Sequence, residues 1–232
     1  MIVHLQNVTK SYSGMPVLLD INLNVEQRKI ICVLGPSGAG KSTLLNILAQ
    51  TLPADGGNMT VHPDLKVSYV FQEDCLLPWC TVGENIAFVQ KETEPNLIST
   101  LLHEVGLGSY QNHYPDQLSG GMRQRCSIAR AFHYGGNLLL MDEPFHSLDY
   151  HLRFELVQKL IALWERSGCA IVMVTHDIDE ALLLGNEIVI LSAKSHTIAQ
   201  RIALDSPQGE RSLKDLDLMK VRAEILEQLC SV

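Results

Sequence analysis

No run in this 232-residue chain approaches the ~20 consecutive apolar residues needed to cross a bilayer, so any spanning role falls to another chain. Basic residues are also scarce. Eighteen Lys and Arg stand against 26 Asp and Glu, giving a net charge of −8 without a basic block. That balance argues against sequence-independent nucleic-acid binding, which rests on basic surface. The six cysteines (Cys32, Cys75, Cys80, Cys126, Cys169 and Cys230) include no C-x-x-C pair and no grouping with histidines at metal-ligand spacing. Several lie in apolar runs and read as reduced core cysteines rather than as a redox or metal centre. The opening Met-Ile-Val-His-Leu-Gln lacks the charged head and long apolar stretch of a signal peptide, so a soluble chain is expected. Internal repeats and low-complexity segments are likewise missing.

What is present suits one large α/β domain. Apolar β-rich runs recur at Ile30–Leu34, Val67–Phe71, Leu138–Met141, Ala170–Val174 and Ile188–Leu191. Near-continuous Val, Ile and Leu fits strands buried on both faces, as in a mainly parallel sheet. Helical patterns alternate with them. Leu152, Leu156, Leu160 and Leu163 form a stripe extended by Trp164. Thr81 with Glu84, and Asp177 with Glu180, have capping-box spacing and predict two helix starts. The first ~30 residues predict short antiparallel strands. We expect an α/β nucleotide-binding core of about residues 1–72 and 136–232, with an N-terminal antiparallel β subdomain. A helical lobe of about residues 73–135 is inserted between two sheet strands. Ser212 to Leu229 reads as a terminal amphipathic helix.

Gly35, Pro36, Ser37, Gly38, Ala39, Gly40, Lys41, Ser42 and Thr43 match G-x-x-x-x-G-K-S/T, after a predicted strand and before a helix. Glycines in such a loop let backbone N–H groups wrap phosphates. Lys41 supplies charge to the β- and γ-phosphates, and the Ser42 hydroxyl can ligate Mg²⁺. Downstream, an apolar strand ends in Asp142 and Glu143. Asp142 is expected to hold Mg²⁺, and Glu143 to orient or deprotonate an attacking water. His176 follows another buried strand, where it either contacts a γ-phosphate and the water or simply enters a helix. Gln72 sits similarly, with an amide able to reach Mg²⁺ or water. The octapeptide Leu118–Arg125 reads Leu-Ser-Gly-Gly-Met-Arg-Gln-Arg. Ser119 is a good N-cap, and Gly120 and Gly121 let N–H groups approach an anion closely.

In this order the pieces resemble the ATP-binding-cassette (ABC) ATPase family across nearly the whole chain, as a P-loop NTPase core. The resemblance implies that Gln72 and His176 are its glutamine- and histidine-loop residues and Leu118–Arg125 its signature. It also implies that Tyr12 stacks on adenine, with a strand-end core aromatic as the other reading. Two copies are then expected to face head to tail, the signature of one capping the ATP held by the other. Asp149, in Ser147-Leu148-Asp149, is expected at that interface.

Within the family, Gln72 to Trp79 and Thr81 to Phe88 look like importer ATPases for nitrate, sulfonate, taurine and related small molecules. That implies a transmembrane permease subunit, indirectly a substrate-binding protein, and a cytoplasmic site on the inner face of the cell membrane. Leu76, Leu77 and Trp79 either form a socket for a permease helix or pack inside the helical lobe. His146 departs from the pattern, since relatives usually carry a small residue there. The residues after His176 are mostly strand and helix needed by the core, so a separate C-terminal regulatory domain is not expected among them. A soluble non-transport ABC ATPase, as in iron–sulfur assembly, and an exporter subunit are the alternatives.

Overall fold

The computed structural model describes residues 1–91, 95–146 and 148–231, so Ser147 lies outside the described residues. Five strands pair in parallel: β3 (Ile30–Leu34), β5 (Val67–Val70), β6 (Leu138–Asp142), β7 (Ala170–Val174) and β8 (Glu187–Leu191). β9 (Ile198–Ala203) adds to β8 in antiparallel sense, giving the order β5-β6-β7-β3-β8-β9.

The alternation of side chains explains why the central strands are apolar throughout. Ile30, Cys32 and Leu34 of β3 enter one core, whereas Ile31 and Val33 enter the other. β6 and β7 divide in the same way, with Leu139, Met141, Ile171 and Met173 opposed to Leu138, Leu140, Val172 and Val174. A strand covered on both faces cannot afford a polar residue without a partner.

One core is closed by α1 (Lys41–Leu48) and a three-stranded antiparallel sheet, β2-β1-β4. Its strands are β1 (Val3–Tyr12), β2 (Met15–Val25) and β4 (Gly56–Val61). The first two are long, not short as the sequence suggested. Register shifts after Leu5, Val8 and Lys10 break the period-two pattern, so each strand reads as fragments. β4 escapes sequence reading because Gly56-Gly57-Asn58 carries no apolar alternation. Pairing with β1 makes it a strand.

The other core is covered by helices. α2 (Val82–Ala87), α3 (Pro95–Glu104) and α4 (Gly120–Tyr134) lie between β5 and β6 in the chain, with short 3-10 turns at Gly108–Tyr110 and Pro115–Gln117 between α3 and α4. α5 (Tyr150–Ser167) buries Leu156, Leu160, Leu163 and Trp164 with the same cluster, and α6 (Ile178–Leu184) lies beside it. α7 (Leu216–Ser231) starts four residues later than the apolar pattern suggests, because Ser212 and Asp215 close a turn ahead of it. No helix of the described residues is long and apolar enough to cross a membrane.

Both expected caps exist, one in altered form. Thr81 and Glu84 make the full reciprocal box. Asp177 caps α6, but its own N–H donates to the Thr175 hydroxyl, not to Glu180. The Glu180 carboxylate turns inward instead. The cysteines also divide: Cys32, Cys126 and Cys169 are buried, whereas Cys75 and Cys230 are exposed.

Candidate functional site

The expected phosphate-loop, carboxylate, glutamine and histidine residues gather at the carboxyl ends of β3, β5, β6 and β7, where open α/β sheets hold ligands. The loop after β3 turns into α1 through Gly40, whose φ of 88° falls in the left-handed region. A Cβ there would also sit 2.7 Å from Leu18 Cδ2 and 2.9 Å from the Val17 carbonyl oxygen, so only glycine fits. No side chain caps α1 and no acid stands in its first turn. Its leading N–H groups therefore lack a side-chain acceptor and suit an anion. Lys41 Nζ donates to the carbonyls of Gly35 at 2.7 Å and Pro36 at 2.9 Å, which holds it against the loop. Burial draws its pKa down, while Glu143 and Asp142 oppose that shift. Ala39 is buried and its N–H bonds to the Pro36 carbonyl, so it shapes the loop from below. Ser37, Gly38 and Ser42 are exposed, with Thr43 half-buried.

Asp142 ends β6 half-buried. Burial raises its pKa, and a hydrogen bond with the Ser42 hydroxyl partly reverses the shift. A carboxylate, a hydroxyl and the exposed amide of Gln72 beyond β5 make an oxygen donor set of the kind Mg²⁺ prefers. Glu143 follows at φ 45°, an unusual conformation for a residue with a side chain. Its N–H donates to the Val174 carbonyl at 2.9 Å, tying the turn to β7. The result aims Glu143 Oε2 at His176, whose Nδ1 is 3.3 Å away. His146 Nδ1 approaches the same oxygen at 3.5 Å, and the two imidazoles meet edge to face.

A support that sequence reading missed lies beneath His176. Thr175 donates its hydroxyl to Glu180 Oε2, and Arg153 of α5 bonds to Asp177. Arg153 Nε also lies 3.5 Å from Glu180 Oε1, close enough for charge attraction but not aligned for a hydrogen bond. Burial pushes the Glu180 pKa up to about 7, with the Thr175 hydrogen bond opposing. The signal was visible, since a Glu at the third helical position usually joins a capping box. Its diversion into the core was not.

The remaining residues lie elsewhere. Ser119 caps α4 by accepting from the Met122 N–H. A Cβ on Gly121 would come within 2.5 Å of Leu148 Cδ2, so the Ser-Gly-Gly turn packs beneath the loop that carries Asp149. Gly120 is half-buried beside it. Asp149 caps α5 through the Leu152 N–H at 3.0 Å. α4 and α1 pack on opposite faces of the central sheet. Tyr12, at the end of β1, is 45% exposed and therefore not a core aromatic, with Lys10 Nζ 5.8 Å from its ring centroid. Leu76 is buried, Leu77 is half-buried and Trp79 is 72% exposed.

The chain is similar to known proteins. The family described as ABC transporter matches residues 18–146, more than half of the chain. The aliphatic sulfonates import ATP-binding protein SsuB 2 of Pseudomonas syringae pv. tomato is 39% identical, over 95% of this chain and 94% of that one. The taurine import ATP-binding protein TauB of Escherichia coli is 35% identical, over 98% of this chain and 96% of its own length. Among solved structures, the dimeric ATP-binding cassette MJ0796 in a post-hydrolysis state with ADP and Pi is 30% identical. It superposes with a TM-score of 0.77, over 89% of this chain and all of that one.

Proposed function

The chain belongs to the ABC transporter family, whose cassettes bind and hydrolyse ATP, and we propose that it drives small-molecule import as one half of a paired ATPase. The observation that carries the reading is the 3.3 Å approach of His176 Nδ1 to Glu143 Oε2, at the sheet edge that also holds the phosphate loop. Glu143 accepts a proton from the attacking water, and His176 orients that water or the γ-phosphate. The amides after Gly40, with Lys41, hold the phosphates. Tyr12 offers an exposed ring to adenine. Ser42, Asp142 and Gln72 would hold Mg²⁺, which supplies charge neutralisation between the β- and γ-phosphates.

The placement of the signature supports pairing. Ser119, Gly120 and Gly121 open a helix on the face of the sheet opposite α1. Their natural ligand is the ATP of a second copy, facing head to tail, with Asp149 near the contact. The dimeric state of the similar MJ0796 cassette supports pairing. ATP adds contacts across the pair and favours closure, and loss of phosphate favours opening.

The taurine and sulfonate relatives make an organic sulfonate or a related small anion the favoured cargo. Such a cargo requires a permease subunit, which Trp79 would contact, and a substrate-binding protein on the far side. The chain then sits peripherally on the cytoplasmic face. Isolation of the native complex tests this directly. Copurification of a membrane subunit and stimulation of ATP hydrolysis by taurine or an alkanesulfonate with its binding protein is the expected result. ATPase activity that stays free of any membrane subunit would favour a soluble ATPase.

A further inference from the structure

Glu143, His146 and His176 form a constellation that hydrolysis does not need in full. Among the described residues, they are the one group of three His, Cys, Asp or Glu side chains whose ligand atoms converge, all within 4.8 Å of one another. The turn after β6 produces it. Glu143 in the left-handed region places its carbonyl to accept the His146 N–H at 3.2 Å, which folds His146 back over its own carboxylate. β7 brings His176 from the other side.

The two imidazole–carboxylate spacings suit a metal better than they suit hydrogen bonds. Nδ1 of His146 and of His176 lie 3.5 and 3.3 Å from Glu143 Oε2, long for a charged hydrogen bond. A tetrahedral Zn²⁺ with bonds of about 2.0–2.1 Å separates its ligand atoms by roughly 3.4 Å. Two imidazoles and one carboxylate match the preference of Zn²⁺, whereas Mg²⁺ selects oxygen. Three protein ligands leave the fourth position for water. Both imidazoles are more than half exposed, so a hydrated ion can reach them. His146 completes the set, at the position where the family resemblance implies a small side chain.

We propose that Glu143, His146 and His176 bind Zn²⁺ and that the bound ion inhibits ATP hydrolysis. The inhibitory part rests on the roles given above to Glu143 and His176. A carboxylate and an imidazole engaged by Zn²⁺ can neither accept the proton of water nor contact the γ-phosphate. Lys41 and the phosphate-loop amides, which hold the nucleotide, stay free, so zinc lowers the turnover rate far more than the affinity for ATP.

The test titrates Zn²⁺ into the nucleotide-free, full-length protein by calorimetry, with Co²⁺ as a spectroscopic substitute. One ion per chain is expected. The Co²⁺ adduct should show tetrahedral visible bands and no thiolate charge transfer, which excludes the exposed Cys75 and Cys230. Loss of an outer-shell partner alone weakens metal sites 10- to 100-fold, so His146→Ser should cost at least about that much. The Zn²⁺ concentration for half-inhibition, relative to each variant's zinc-free rate, should rise by the same factor. Equal zinc affinity in His146→Ser, or a thiolate band, overturns the site. Zinc that binds through His146 without slowing hydrolysis leaves the site standing and overturns the roles of Glu143 and His176.

Discussion

The Thr175 hydroxyl donates to the Glu180 carboxylate directly beneath His176, joining the end of β7 to the first turn of α6. Glu180 is buried, and its pKa is pushed from an ordinary 4.5 to about 7. The folded protein therefore holds a proton that the unfolded chain has released. This contribution to stability is fully present below pH 4.5 and is lost as pH rises through about 7. Each pKa unit is worth about 1.4 kcal/mol. Glu180→Gln should flatten that part of the decline, and the gap in Tm between the proteins should move toward the variant as pH increases. Parallel Tm curves from pH 4.5 to 8 would show that Glu180 does not titrate this way.

Gly40→Ala should fail twice. The new Cβ meets the Val17 carbonyl and Leu18, and a non-glycine residue at that φ is itself strained. We expect a loss of about 1–3 kcal/mol in urea unfolding, together with loss of ATP binding. Wild-type affinity in the folded variant would remove the loop conformation from the account.

Ser119→Ala separates the two halves of the composite site. The cap on α4 is worth about 1 kcal/mol, so the chain should fold. ATP affinity of the monomer should stay within twofold or so, because Ser119 caps a helix packed on the opposite face of the sheet from α1. Steady-state hydrolysis should fall at least about tenfold, the loss of one charge-assisted hydrogen bond to phosphate. If monomer affinity collapses instead, the signature acts on its own chain's nucleotide.

Leu76 and Trp79 should behave oppositely although they are three residues apart. Leu76 packs in the core and Leu76→Ala should cost about 2–5 kcal/mol. Trp79 projects outward, so Trp79→Ala should change stability by no more than about 0.5 kcal/mol while weakening pull-down of the permease. Unchanged association would move the docking surface elsewhere.

How much of this was legible in the sequence depends on where each signal resides. The strand Ile30–Leu34, running into Gly35 and Lys41, could be read because burial on both faces and a phosphate loop each demand local residue types. β4 and β9 could not be read. Gly56-Gly57 and the mixed Ile198–Ala203 become strands by pairing with β1 and β8, long-range information that no local pattern carries. Arg211 is similar. No local pattern singles it out, yet it is buried with its guanidinium donating to the carbonyls of Leu182, Gly185, Leu204 and Ser206. The placement of Gln72, Asp142, Glu143 and His176 followed from strand ends and could be anticipated. The inward turn of Glu180 and the return of His146 over Glu143 depend on backbone torsions that residue identity does not declare.

The most direct test of the account is Glu143→Gln, which removes the proton acceptor and keeps its shape. Steady-state ATP hydrolysis should fall by about 10²–10⁴-fold, the usual worth of a general base. ATP binding should persist, and size-exclusion chromatography with ATP should show a trapped dimer. Hydrolysis at the wild-type rate, with no ATP-dependent dimer, would contradict both the role of Glu143 and the paired site.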